Sequence, residues 1–206
     1  MSGEKGYNNA YYVDAMSTRV IVLAAGKGTR MNHGIPKVLI PLGGEPIIQR
    51  LLNAVKTTVL DPRPVIVIGH NGDSVRRALG DEYEYVHQKE QLGTGHAVQC
   101  AEEIIVGKAD AVIVLYGDHP FVRASTISEL KALHEREGCI ISMMTTTVQD
   151  FKDWRALFAD FGRVKRSSTG SVIGIVEAKD ATVHHARFAG AARDRVGQPT
   201  RCASSA

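Results

Sequence analysis

Short apolar runs alternate with amphipathic segments along the chain, and this alternation predicts strands and helices in turn. The first run, residues 20–23, has the length and β-branched bias of a strand buried on both faces. Further strands are predicted over residues 65–68, 83–87, 111–116 and 139–147. Helical spacing predicts helices over residues 45–56 and 74–79, a helix over 94–105 capped by Thr94, and one with a Thr126/Glu129 capping box. The order predicts an α/β fold with a doubly wound, mostly parallel sheet of Rossmann-like type.

The loop after the first predicted strand is rich in glycine and in cations. Residues 25–44 contain no acid but include Lys27, Arg30 and Lys37. Exposed amides between Gly26 and Thr29 could bind an anion, and the long cations could neutralise a polyphosphate. The loop lacks the third glycine of a dinucleotide fingerprint, and no G-K-[ST] closes a Walker loop. A basic surface loop without a ligand is the alternative that composition leaves open.

Two more loops follow predicted strands, at the carboxyl ends where sheets of this type bind ligands. They are residues 88–95, QKEQLGTG, and residues 116–120, YGDHP. Asp118 therefore comes directly after an apolar strand. Its carboxylate is the hard oxygen ligand that Mg²⁺ of an NTP complex prefers. The alternative role of Asp118 is that of an ordinary turn residue.

Composition narrows the class of protein further. The chain has 206 residues, of which 44% are hydrophobic and 23% charged, as in an ordinary globular protein with one sizeable core. A net charge of +3 without a long basic run argues against a nucleic-acid partner. The three cysteines are odd in number and far apart, which fits neither a disulfide framework nor a zinc site and favours the cytoplasm. No signal peptide or membrane span is expected, so we predict a soluble protein without a membrane partner, and the oligomeric state stays open.

Several motifs resemble those of sugar-phosphate nucleotidyltransferases. L-A-A-G-x-G-T-R-M at residues 23–31 and P-K-V-L at 36–39 resemble the signature of that family. H-Q-x-E-Q-L-G-T-G-H-A at 87–97, L-Y-G-D at 115–118 and G-I-V-E-x-K-D-A-T at 174–182 resemble one branch of it more narrowly. That branch is the uridylyltransferase domain of the bifunctional bacterial N-acetylglucosamine-1-phosphate uridylyltransferase/glucosamine-1-phosphate acetyltransferase. The resemblance covers residues 20–182 and implies a sheet of the nucleotide-diphospho-sugar transferase type.

The resemblance implies a role for individual residues. Arg30 would steady the leaving pyrophosphate, Lys37 would meet the phosphates, and Asp118 would hold Mg²⁺. Gly162 and Glu177 would contact the sugar. The residues implied in nucleotide binding are Leu23, Ala24, Ala25, Gly26, Gly28, Thr29, Gln88, Gly93, Thr94, Tyr116 and Gly117.

Two of these residues would read the base. Gln88 and Gly93 would face the uracil edge, with Thr94 close by. A backbone amide at Gly93 can donate to O4 of uracil. In cytosine an amino group takes the place of O4, so two donors would face each other and the amide would stay unpaired.

The chain also departs from the family pattern. The link over residues 148–162 is a few residues longer than usual, and Phe161 stands where the family has tyrosine, which leaves the choice of acceptor open. Beyond Thr182 the family's asparagine-containing segment, its second metal ligand and the acetyltransferase domain are not recognised. We therefore expect a flexible N-terminal arm over residues 1–18, a C-terminally incomplete nucleotidyltransferase domain over 19–182, and an irregular tail over 183–206.

The predicted reaction is attack of a sugar-1-phosphate, such as N-acetylglucosamine-1-phosphate, on the α-phosphorus of an NTP, with release of pyrophosphate. UTP is the expected nucleotide, and another NTP is an alternative. Catalysis would rest on in-line positioning and on charge neutralisation by Mg²⁺, Arg30 and Lys37. A nucleotide-binding module with little or no turnover is the alternative from a different class.

Overall fold

The computed structural model describes residues 17–26, 35–180 and 199–200. The chain divides into two compact units, Met1–Phe121 and Val122–Ala206. The predicted N-terminal arm and tail lie outside the described residues, apart from residues 17–18 and 199–200. The proposed domain bounds therefore stay predictions.

The first unit is built on a four-stranded parallel sheet in the order β5-β4-β1-β6. Its strands are β1 (Thr18–Ala24), β4 (Val65–Ile68), β5 (Glu84–His87) and β6 (Ala111–Tyr116), and Pro41–Leu42 (β2) pairs separately with Glu45–Pro46 (β3). Its helices are α1 (Ile47–Thr58), α2 (Gly72–Leu79), α3 (Thr94–Gln99) and α4 (Glu102–Ile105), with a short 3₁₀ turn over Lys37–Leu39. The parallel α/β fold predicted from the sequence is confirmed.

The core of this unit follows from the two-residue period of the strands. Ile21, Val65 and Val67 lie on one face and pack against Ala97 and Ala101 of the α3–α4 region. The alternate strand residues, among them Val20, Val22 and Ile66, are also fully buried. The central strands are therefore covered on both sides, as the apolar run at residues 20–23 predicts.

The base of β1 is held by a buried carboxylate. Asp61, which is 4% exposed, accepts hydrogen bonds from the Val20 and Arg63 amides and from Nε of Arg19 at 2.8–2.9 Å. The Arg19 guanidinium also bonds Glu84 of β5 at 2.9 Å. Burial is the largest individual effect on the pKa of Arg19 and lowers it. The hydrogen bonds and charges of Asp61 and Glu84 raise it, and their sum is greater, so the pKa of Arg19 is raised.

The structure moves the ends of several predicted elements by one or two residues, for example the first helix from 45–56 to Ile47–Thr58, and it corrects three predictions further. The single helix expected over residues 94–105 is interrupted at Ala101, which has φ −90° and ψ 1°, and Thr94 is the first helical residue rather than the cap. The predicted capping box at Thr126 is wrong, because the helix already begins at Ala124 and the Ile127 amide bonds the Arg123 carbonyl. Of the strand expected over residues 139–147, only Met143–Met144 forms a paired strand among the described residues.

The second unit contains α5 (Ala124–Glu137) and two antiparallel strand pairs. Met143–Met144 (β7) pairs with Pro199–Thr200 (β10), and Arg163–Arg166 (β8) pairs with Val172–Val176 (β9). A 3₁₀ segment covers Asp153–Asp160 and a shorter one Ala178–Asp180. No helix among the described residues is long and apolar enough to span a bilayer.

Candidate active site

The carboxyl ends of the parallel strands meet at one edge of the sheet in the first unit. Ala24 of β1 is in register with Ile68 of β4, and Ile68 is in register with His87 of β5. On the other side, Leu23 of β1 is in register with Tyr116 of β6. The three loops singled out in the sequence therefore leave the sheet at the same edge, two of them from the adjacent strands β1 and β6 and the third from β5, which β4 separates from β1. This is the arrangement expected for a ligand site in this architecture.

Gly117 allows the loop after β6 to lie close to β1. Its amide bonds the Leu23 carbonyl at 2.9 Å, and a Cβ added at Gly117 would lie 2.9 Å from that same oxygen. The next atoms it would meet belong to Val38, at 3.2 Å, and Ile48, at 3.3 Å. Val38 is buried in the 3₁₀ turn, so this packing brings the neighbouring Lys37 to the end of β6.

Lys37 and Asp118 form an ion pair at this edge. The Lys37 ammonium bonds Oδ2 of Asp118 at 2.7 Å, and the two side chains are 42% and 30% exposed. Oδ1, the second carboxylate oxygen, lies 3.8 Å from Nε2 of His119. The His119 ring in turn stacks, tilted, against Tyr116 with 5.2 Å between ring centroids. Asp118 thus has one oxygen bonded to the Lys37 ammonium, and its side chain is still 30% exposed.

Asp118 fits the role of a divalent-metal ligand in one respect. A single hard carboxylate, with the remaining ligands supplied by phosphates and water, is the usual protein contribution at a nucleotide-bound Mg²⁺. Among the described residues no group of three or more His, Cys, Asp and Glu side chains is arranged to hold an ion. The described part of the chain therefore contains no preformed metal site with three or more such side chains.

Gln88, directly after β5, is buried although it is polar, with 4% of its surface exposed. Its backbone amide bonds the Ile68 carbonyl at 2.8 Å. Its side-chain amide nitrogen lies 3.1 Å from the Gly93 carbonyl and 3.1 Å from Nδ1 of His96. Gly93 has φ 102°, a conformation that favours glycine, and turns the loop into α3.

Gln91 connects this loop to the end of β1. Its side-chain nitrogen donates to the Ala25 carbonyl at 2.5 Å. Gly69, after β4, also lies against Ala25, because a Cβ at Gly69 would be 2.6 Å from the same carbonyl oxygen. The start of the glycine-rich loop is thereby held between the ends of β4 and β5.

The predicted site residues fall into three groups. Leu23, Ala24, Ala25, Gly26, Lys37, Gln88, Gly93, Thr94, Tyr116, Gly117 and Asp118 lie at the ends of β1, β5 and β6 or in the turn beside them. Gly28, Thr29 and Arg30 lie outside the described residues, and so does Lys27. Gly162 and Glu177 belong to the second unit, and their assignment to the sugar stays a prediction.

Three residues of this edge were not assigned a role from the sequence. Gln91, His96 and His119 all stand inside motifs that the sequence analysis quoted, and each makes a specific contact in the structure. Polar residues interleaved with the glycines of these loops were the available signal. His96 contacts Gln88, 8 residues away, and Gln91 contacts Ala25, 66 residues away, so these contacts could not be predicted from sequence spacing.

The fold is that of the nucleotide-diphospho-sugar transferases. HddC from Yersinia pseudotuberculosis aligns with a TM-score of 0.57 at 22% identity, over 79% of this chain and 69% of that one. A UDP-glucose pyrophosphorylase solved with UDP-glucose aligns with a TM-score of 0.57 at 19% identity, over 81% of this chain and 72% of that one. At these identities the likeness defines the fold alone.

The chain belongs to the family of the MobA-like NTP transferase domain, whose model matches residues 20–203. The bifunctional protein GlmU of Heliobacterium modesticaldum is 43% identical over 161 residues, covering 78% of this chain and 33% of GlmU. GlmU of Streptococcus equi subsp. zooepidemicus is 40% identical over 166 residues, which covers 81% of this chain and 34% of that GlmU. The predicted resemblance is thus confirmed, and the chain spans about a third of the length of these curated relatives.

Proposed function

We propose that this chain transfers a uridylyl group from UTP to a sugar-1-phosphate, such as N-acetylglucosamine-1-phosphate, and releases pyrophosphate. The observation that carries the proposal is the Lys37–Asp118 pair, 2.7 Å apart, at the carboxyl edge of a nucleotidyltransferase sheet. A phosphate-binding cation and a metal-binding carboxylate are the two groups that phosphoryl chemistry on an NTP needs close together. The identity to GlmU supports the same class of substrate.

Lys37 contributes charge neutralisation. Both ends of its ion pair are partly exposed, so the ammonium can exchange the carboxylate for a phosphate oxygen of comparable charge. Arg30, whose role rests on the family resemblance, would stabilise the charge that develops on the leaving pyrophosphate. No covalent intermediate is needed, because positioning of the sugar phosphate in line with the leaving group accounts for the catalysis.

Asp118 is the residue that would hold the metal. Mg²⁺, when bound, supplies charge neutralisation on the phosphates. Manganese in a structure of Rv0371c from Mycobacterium tuberculosis, at 20% identity and a TM-score of 0.50, is compatible with a divalent ion in this fold. We propose Mg²⁺ for this chain because Asp118 is a hard oxygen donor with one oxygen not engaged by Lys37.

The remaining assignments complete the proposal. Gln88 and Gly93 read the base, and Gly162 and Glu177 contact the sugar. The match to the uridylyltransferase motifs supports a uridine nucleotide. One protein of this fold was solved with UDP-glucose and another with GMP-PN, so other bases stay open as alternatives. The free cysteines Cys100 and Cys139 support a reducing compartment, and we place the protein in the cytoplasm.

The decisive experiment measures pyrophosphate release from UTP with N-acetylglucosamine-1-phosphate and Mg²⁺. ATP, GTP, CTP and dTTP are run in parallel to identify the nucleotide. Product that depends on both substrates and on the divalent ion supports the proposal. A thermal-shift panel of the same nucleotides, with and without Mg²⁺, separates the alternative: stabilisation by a nucleotide without any pyrophosphate release means a binding module.

A further inference from the structure

The two contacts of the Gln88 amide determine its orientation. The Gly93 carbonyl can only accept a hydrogen bond, so the Gln88 atom 3.1 Å from it must be the NH₂ nitrogen and not the oxygen. That same nitrogen lies 3.1 Å from Nδ1 of His96, which must therefore also accept. An imidazole that accepts at Nδ1 is neutral and carries its proton on Nε2.

The other side of the imidazole agrees with this tautomer. Nε2 of His96 lies 4.0 Å from Sγ of Cys100, one helical turn further along, and sulfur is a weak acceptor for an N–H donor. A short chain of contacts thus runs from the Gly93 carbonyl through the Gln88 amide to His96 and Cys100. Both N–H groups of the Gln88 amide therefore donate hydrogen bonds, one to the Gly93 carbonyl and one to Nδ1 of His96.

The oxygen of the Gln88 amide has no hydrogen-bond partner within residues 17–26 and 35–180. Oε1 is also not fully buried: among the described residues, the buried side-chain polar atom without a partner is Nε of Arg163. A flip of the amide would place Oε1 against the Gly93 carbonyl oxygen, so that two acceptors face each other without a proton between them. Oε1 is therefore the acceptor that the loop presents to a ligand.

We propose that His96 is a positioning residue for base selection, acting through Gln88. With the NH₂ group held by His96 and Gly93, Oε1 accepts from a base that carries a ring N–H beside a carbonyl, as uracil, thymine and guanine do. Cytosine presents a ring nitrogen lone pair at the corresponding position and is rejected, because two acceptors then face each other. This inference rests on the proposed function, in which Gln88 faces the base.

His96 is needed in addition to Gly93 because the Gly93 carbonyl is a shared acceptor. It also receives the Ala97 amide at 3.1 Å, in the first turn of α3. Without the Nδ1 lone pair, one N–H of a buried amide has no partner, which favours other orientations of Gln88. The discrimination between uracil and cytosine should then weaken although Gln88 itself is unchanged.

The test measures dissociation constants for UTP and CTP with Mg²⁺ on the full chain. His96→Phe keeps a planar ring and removes Nδ1, His96→Asn restores an acceptor at the Nδ1 position, and Gln99→Ala is an exposed control on the same helix. We expect the wild type to prefer UTP by on the order of 100-fold, His96→Phe to lose about tenfold or more of that ratio, and both other variants to keep most of it. Melting temperatures verify that all variants fold.

The outcomes separate the two proposals. If the wild type binds no nucleotide, the proposed function fails. If it prefers UTP and His96→Phe keeps the same ratio, the inference about His96 is overturned while the proposed function stands. Should His96→Phe not fold, ¹⁵N NMR of the wild-type ring decides: a pyridine-like Nδ1 supports the inference, and a protonated Nδ1 overturns it.

Discussion

The Lys37–Asp118 pair yields the sharpest prediction, because its contribution to stability and its contribution to function should differ strongly. At the observed 2.7 Å, the Coulomb attraction is about 1.5 kcal/mol in water and about 6 kcal/mol at an effective dielectric constant of ~20. The side chains are 42% and 30% exposed, so water screens the pair and the chain loses side-chain entropy in forming it. The net coupling should therefore be about 0.5–1 kcal/mol.

A double-mutant cycle measures this coupling. Lys37→Met, Asp118→Asn and the double variant are unfolded in urea without ligand, and the coupling is the non-additive part of the free energies of unfolding. Lys56→Met, which removes the lysine of an exposed pair with Glu82, is the matched control and should change stability equally little. A coupling near zero would mean that the pair adds nothing measurable to stability, which is less than expected here. A coupling above ~3 kcal/mol would instead mean a buried structural pair and contradict the assignment to a ligand site.

Function should respond far more than stability. Asp118→Asn keeps the size of the side chain and removes its charge, so turnover should fall on the order of 10²-fold while the free energy of unfolding changes by less than ~1 kcal/mol. Lys37→Met should weaken triphosphate binding or turnover, whereas Lys56→Met should affect neither. Turnover of Asp118→Asn at the wild-type rate and saturating Mg²⁺ would exclude Asp118 from the mechanism.

Three further predictions concern stability. Gly117→Ala places a Cβ 2.9 Å from a carbonyl of the neighbouring strand and should lower the free energy of unfolding in urea by about 1–3 kcal/mol. The control Gly95→Ala, whose Cβ meets nothing within 4 Å, should be neutral or stabilising. Equal losses in the two variants would refute the packing argument. Asp61→Ala removes the acceptor of two backbone amides and an arginine and should cost about 3 kcal/mol, and an effect as small as that of the exposed Asp81→Ala would contradict its structural role. Burial raises the pKa of Tyr85 to about 12, so the unfolded state ionises first, near pH ~10, and stability should fall between those values. Tyr85→Phe should remove this loss of stability at alkaline pH. An unchanged dependence of stability on pH would contradict the raised pKa of Tyr85.

The elements of the central sheet could be predicted well from the sequence. The strands at Val65–Ile68 and Ala111–Tyr116 begin and end where the apolar runs do. Strand propensity and a two-residue period are local properties, and proline or aspartate precedes each run and glycine follows it. The meeting of the three loops at one edge followed as well, because the carboxyl ends of parallel strands lie at the same edge of a sheet.

Local patterns failed where packing overrides them. The 94–105 segment has continuous helical spacing, yet the helix is interrupted at Ala101, which is fully buried in the core. Likewise, α5 starts two residues before its apparent capping box, because Ala124 and Ser125 already adopt helical geometry. Capping signals indicate that a helix begins nearby, and its first residue depends on the surrounding chain.

The sequence by itself determined the order of strands and helices, the family, and the types of residue in the loops at the carboxyl edge. Only the tertiary structure decided which of these residues meet: Lys37 pairs with Asp118 across 81 positions, and the Gln88 amide is turned by His96. It also decided burial, since all of Val65–Ile68 is buried in the sheet interior while the equally apolar β6, last in the sheet order, has Val112 and Val114 exposed. Periodicity is a property of neighbouring residues, whereas distance and burial depend on how distant segments pack, and no local pattern contains that information.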